Sequence, residues 1–251
     1  MIKSFSSVLT LATVLLLGSV RTAAAFQFTP LSQVFTPTGS TSTQSYEIVN
    51  DTDEPIAIEV SMAASELTIT GNESLIPAED DFLVYPPQMI LQPDEMQIVR
   101  VSWLGDPEPP QELTYRLIAE QLPIHLVDPE APIPNQTRGE IKLSFRYIAS
   151  VCIQPPGVAP DVSLVSVEPR VTDSGETKLL VTLANQGDGN ARLSDWHLDL
   201  IGQGQTVQLT PALAKEMNGR VILPGEQRQF ELAWPAGLPM GAVTATFQFS
   251  D

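Results

Sequence analysis

Residues 138–153 constrain this chain most. Ile141, Leu143, Phe145, Tyr147, Ala149, Val151 and Ile153 recur at every second position, while Lys142, Ser144 and Arg146 take alternate ones. Successive side chains of a strand point to opposite faces, so this pattern predicts one long β-strand with an apolar face. Two basic side chains on the otherwise uncharged second face are unfavourable unless something acidic meets them. Gln154-Pro155-Pro156-Gly157 follows. Proline has no N–H to give to a ladder, so the strand ends there and leads into a second unit.

The same alternation recurs on both sides of this strand. Before it, residues 26–35, 44–49, 56–60, 82–85, 89–91, 96–103 and 112–122 read as strands. After it come 162–167, 178–183, 196–201, 206–209, 227–234 and 242–249. Asn50-Asp51-Thr52-Asp53-Glu54-Pro55, Gln92-Pro93-Asp94-Glu95, Asn185-Gln186-Gly187-Asp188-Gly189-Asn190 and Pro224-Gly225-Glu226 supply turn chemistry. Short strands at this spacing, without an amphipathic helix, predict an all-β chain of two β-sandwiches in tandem. The 251 residues suffice for two such cores, divided as 26–154 and 155–251. Residues 125–139 form a long polar, proline-rich loop, which in a compact domain points to function or disorder.

The first 25 residues read as a cleaved signal peptide. Lys3 is the positive start, residues 8–20 are an apolar run too short for a comfortable membrane span, and Ala23-Ala24-Ala25 offers the cleavage site. The mature chain then begins at Phe26 and is exported. No other stretch is apolar enough for insertion into a membrane. A single cysteine, Cys152, allows no internal disulfide. Its place between Val151 and Ile153 predicts a small buried hydrophobe.

Several kinds of chemistry are excluded. A net charge of −17 disfavours nucleic acid and anionic lipid as partners. His125 and His197 have no second ligand at metal spacing, so no zinc site is expected. Asp51, Asp53 and Glu54 lack the glycine and closing glutamate of a calcium loop. Neither a phosphate loop nor a nucleophile elbow is present, so no enzyme, cofactor or metal is expected.

Certain segments resemble a known family. They are Phe82-Leu83-Val84-Tyr85-Pro86-Pro87, Leu91-Gln92-Pro93, Val99-Arg100-Val101, Glu112-Leu113-Thr114-Tyr115-Arg116, Glu120-Gln121-Leu122-Pro123 and Ile141-Lys142-Leu143-Ser144-Phe145-Arg146. In order and spacing they resemble the PapD-like periplasmic chaperones of chaperone–usher pilus assembly, and are closest to the archaic branch. The resemblance implies two immunoglobulin-like domains arranged as a boomerang. It implies a periplasmic chaperone that binds pilus subunits by donor-strand complementation and delivers them to an outer-membrane usher. The alternative is an exported two-domain adhesin or structural pilus component.

The resemblance also assigns residues. Lys142 matches a lysine that grips the subunit's C-terminal carboxylate. The arginine that partners it falls at Gln33, which can hydrogen-bond but brings no charge. Arg116 is the candidate for that second role; otherwise Arg116 and Lys142 pair with surface acids. Ile133 is the apolar residue of the expected donor strand, or the register shifts so that Ile141, Leu143 and Phe145 take part. Those three could instead face their own core, Phe145 above all. Arg146 and Glu112 match an interdomain salt-bridge network, whose third member, an acid near Gly237-Leu238-Pro239, is missing.

Overall fold

The computed structural model describes residues 26–123 and 144–250. The first half comprises β1 (Gln27–Thr29), β2 (Ser32–Phe35), β3 (Thr43–Val49), β4 (Ile56–Leu67), β5 (Glu73–Pro77), β6 (Phe82–Tyr85), β7 (Gln88–Leu91), β8 (Met96–Trp103), β9 (Leu113–Gln121) and β10 (Arg146–Ile153). The second comprises β11 (Val162–Val171), β12 (Thr177–Asn185), β13 (Ala191–Arg192), β14 (Asp195–Gly202), β15 (Gln205–Leu209), β16 (Val221–Ile222), β17 (Gln227–Ala233) and β18 (Thr244–Ser250).

Each half is a sandwich around its own core. In the first, the order β1-β3-β8-β6 faces β2-β10-β9-β4-β5, and β7 pairs with the first part of β4. The parallel pairing of β2 with β10 contrasts with the antiparallel ladder between β10 and β9. Phe82 meets Tyr115 at 4.9 Å and Trp103 at 5.0 Å between ring centroids, edge to face. Such pairs add to what area burial alone supplies. Asn50 is fully buried, and its amide donates to the carbonyls of Glu54 and Leu91. Its Oδ1 accepts from Thr52 N, so an Asx turn closes the Asp51–Glu54 loop.

The second sandwich sets β11-β12-β17 against β15-β14-β18, with β13 and β16 as a short bridge. Trp196, Leu198 and Leu200 of β14 meet Leu179, Val181 and Leu183 of β12 in its core.

Besides the two short strands β13 and β16, which the sequence did not announce, the structure departs from the sequence reading as follows. β4 continues to Leu67 and turns back into β5, where no strand was expected. Ser61, Ala63, Ala64 and Ser65 have little intrinsic strand preference, but ladders to β9 and β5 hold them extended. β10 begins at Arg146, preceded by Ser144 and Phe145 outside any strand, and 138–143 lie outside the described residues. Cys152 is not a core residue. The core takes Ala149, Val151 and Ile153, and alternation turns Cys152 to the opposite face, partly exposed.

Candidate functional site

The outer face of β2-β10-β9-β4-β5 carries the polar side chains. Arg116 lies opposite Ser150, and Thr114 opposite Cys152. On the other side of β9, Ala63 of β4 lies opposite Arg116. Tyr115, Leu117 and Val151 alternate with them and fill the first core.

Arg116 is the more enclosed of two cations on this face, its side chain 18% exposed against 49% for Arg146. Its Nη1 donates to the Tyr115 carbonyl at 3.1 Å and to Ser150 Oγ at 3.3 Å. Nη2 pairs with Glu73 Oε1 at 2.7 Å, and Ser65 Oγ donates to the same oxygen. Its partners thus come from β9 itself, from the neighbouring β10 and from β5, and Ser65 of the intervening β4 steadies Glu73. A planar fork held this way presents a positive charge suited to a carboxylate.

The second sandwich meets this face through the loop of residues 185–190. Asn185 shapes that loop from within: it is 1% exposed, and its amide donates to the carbonyls of Gly189 and Ile222. Its Oδ1 accepts from the backbone of Asp161 and Gly187. Gly187 permits a close approach to the linker, since a Cβ there would lie 2.3 Å from the Ala159 carbonyl. The loop then grips the start of β9. Glu112 N donates to the Asp188 carbonyl at 2.8 Å, and Asn190 N donates to Glu112 Oε2 at 2.8 Å. Asn190 Nδ2 donates to Thr114 Oγ1 at 3.0 Å and reaches Cys152 Sγ at 3.7 Å. Burial, then the nearby Glu112 carboxylate, push the Cys152 thiol up to about 11.

A second contact lies at the β4–β5 turn. Gln229 N donates to the Ile69 carbonyl at 2.7 Å, and Gly71 sits against the Arg228 guanidinium. Burial, then Arg220, lower the pKa of Arg228. Among the described residues, no group of three or more His, Cys, Asp or Glu could hold a metal ion.

Residues 32–159, just over half of the chain, match the family described as pili and flagellar-assembly chaperone, PapD N-terminal domain. The chain belongs to this family. The activity of these chaperones is non-enzymatic. No curated protein sequence matches it. Solved structures do. A chain of the CsuC–CsuE chaperone–tip adhesion subunit pre-assembly complex, from archaic chaperone-usher Csu pili of Acinetobacter baumannii, has a TM-score of 0.57. It is 14% identical, over 85% of this chain and 90% of that one. The Class 5 fimbriae chaperone CfaA gives 0.54 at 14% identity, covering 90% and 100%. The E. coli chaperone DraB gives 0.51 at 18% identity, covering 88% and 87%. At this identity the likeness is one of fold, two immunoglobulin-like β-sandwich domains.

Within this chaperone fold, the expected site residues fall as follows. Lys142, Ile133, Ile141 and Leu143 lie outside the described residues. Phe145 packs against the first core, so its ring is not presented outward as a donor. Gln33 lies opposite Val151, on the inner side with Phe35, and its Nε2 donates to the Ser45 carbonyl at 2.8 Å. It therefore faces away from Arg116, and alternation along the strands keeps the two apart. Arg146 and Glu112 are not brought together either. Arg146 stands opposite Glu120 and pairs with it at 3.6 Å, at the far end of the ladder from Glu112. Glu112 does bridge the domains, but to a backbone N–H rather than to an arginine.

Glu73 and Asn190 were missed. The glycines and asparagines of the 185–190 loop signalled a turn, though not its target. Nothing in the sequence near Glu73 pointed to Arg116.

Proposed function

We propose that this chain is a periplasmic chaperone of pilus assembly. It is exported by its N-terminal segment, stabilises a pilus subunit by lending it a β-strand, and passes it to an outer-membrane usher. A subunit lacking its last strand has open ladder edges and a bared apolar groove, which aggregates. An added strand pairs with those edges through its main chain while alternate side chains fill the groove. The observation that carries this reading is the open edge of β10. β9 pairs along all of β10, but on the other side β2 covers only Ser150 to Ile153. Among the described residues, no strand pairs with that side of residues 146–149. The edge continues toward the segment expected to be lent, with Ile133 or with Ile141 and Leu143 as its apolar positions. The similar CsuC–CsuE structure is a chaperone bound to a tip adhesion subunit, which supports a subunit as the partner.

In this reading Arg116 and Lys142 hold the subunit's C-terminal carboxylate. The domains divide near Gln154, with the Glu112–Asn190 contact setting their mutual position.

Coexpression with pilus-subunit genes neighbouring its own tests the proposal, by recovery of a one-to-one complex from periplasmic extract. Lys142→Ala is expected to keep the fold and lose the complex. Arg116→Ala is expected to reduce complex yield more than Gln33→Ala. Subunits that stay stable without this chain would overturn the chaperone reading, and the reverse ranking would return the anchor to the first strand.

A further inference from the structure

Arg116 is occupied in this structure. A ligand carboxylate reaching it would be the second on one guanidinium, because Glu73 already lies 2.7 Å away. Two like charges this close oppose one another, and with Nη1 already committed to two other oxygens the two carboxylates compete for Nη2.

The two halves of the pair are not equally held. Arg116 lies on β9, between β10 and β4, and two further oxygens fix its Nη1. Glu73 opens β5, an edge strand paired on one side only, and its side chain is 33% exposed. Among the described residues, its further bond comes from Ser65 Oγ. A carboxylate on an edge strand can turn into water and be rehydrated, whereas a guanidinium packed on a central strand has nowhere to go.

We infer that Glu73 is an internal stand-in for the ligand's carboxylate, holding Arg116 in the free protein and giving it up on binding. This rests on the reading of Arg116 as a carboxylate anchor. The turn before β5 keeps Glu73 at hand. Thr68 N donates to the Asn72 carbonyl at 2.9 Å, and the Ile69 carbonyl is tied to Gln229 of the second domain. A carboxylate tethered this closely acts as a competitor at high effective concentration. Weak carboxylates in solution therefore fail to take Arg116. A chain that adds strand pairing to its terminal carboxylate succeeds. Glu73 thus makes the site selective for ligands that bring more than charge.

The test is a titration of the full mature protein with acetate, read by the ¹⁵N shift of Arg116 Nε. Glu73→Gln and Glu73→Ala are expected to bind acetate saturably and on the order of tenfold tighter than the parent protein. Adding Arg116→Gln to either, with the backbone amide of the neighbouring Ser150 as the reporter in place of the lost guanidinium, should abolish that gain. Acetate affinity unchanged in both Glu73 variants overturns the inference. The lifetime of the complex with a coexpressed pilus subunit is the second arm, and should lengthen in Glu73→Gln. A gain for acetate with no change for the subunit keeps the stand-in and overturns Arg116 as the subunit's anchor.

Discussion

Tyr46 and Tyr115 show how differently two buried phenols of one core can behave. Tyr46 is fully buried, and its hydroxyl has no hydrogen-bond partner among the described residues. Tyr115 donates to Asp81 Oδ2 at 2.9 Å. Burial raises both pKa values, and for Tyr115 the neighbouring Asp81 carboxylate adds to it. An unpaired buried hydroxyl is unfavourable, and removing it relieves that, whereas removing one partner of a made bond leaves the other unsatisfied. Tyr46→Phe is therefore expected to leave stability unchanged or raise it by about 1 kcal/mol, and Tyr115→Phe to lower it by about 1 kcal/mol. Urea unfolding of both variants checks the contrast, and equal losses would contradict it. The sequence placed both tyrosines on strands, 44–49 and 112–122. Which hydroxyl finds an acceptor depends on Asp81, 34 positions away in the chain.

At the scale of elements, the β4–β5 hairpin does two jobs with one stretch of chain. Its strands place Ser65 and Glu73 against Arg116, and its turn touches the second domain. Gly71 has φ of 84°, a conformation that side chains other than glycine's resist, and a Cβ there would lie 2.2 Å from Arg228 Nη2. Gly71→Val is expected to cost about 1–3 kcal/mol through strain and clash together. Faster hydrogen exchange at the Gln229 amide, which donates to Ile69, is the specific readout. Unchanged protection there would show that the turn does not couple the domains. This hairpin was invisible in the sequence because alanine and serine say little about extension. Its partners in the ladder supply the conformation. By contrast, β8 and β10 were legible, since Val, Ile and aromatic residues alternate along them.

For the whole molecule, the join between the domains sets the chemistry of Cys152. Its thiol is raised from 9.0 to about 11 in the folded chain, first by burial and then by Glu112, both consequences of docking. A raised pKa means that the neutral thiol is favoured when folded. The resulting stability is full below pH 9 and is lost as pH rises through about 11. Up to about 3 kcal/mol is expected to disappear over that interval, and Cys152→Ser should remove that part of the pH dependence. Thiol labelling at neutral pH should be slow, and faster in Asn190→Ala, where the loop's grip on Thr114 and Cys152 is lost. Equal labelling rates would mean that docking does not shield the thiol. The sequence by itself determined the period-two strands, the two-sandwich division of labour and the family, because each is written in residues that are neighbours along the chain. Only the tertiary structure decided that Arg116 is held by Glu73, that Gln33 faces inward, and that Glu112 meets Asn190. Those depend on strand register and on the docking of two domains, where one residue of slip turns a side chain to the opposite face.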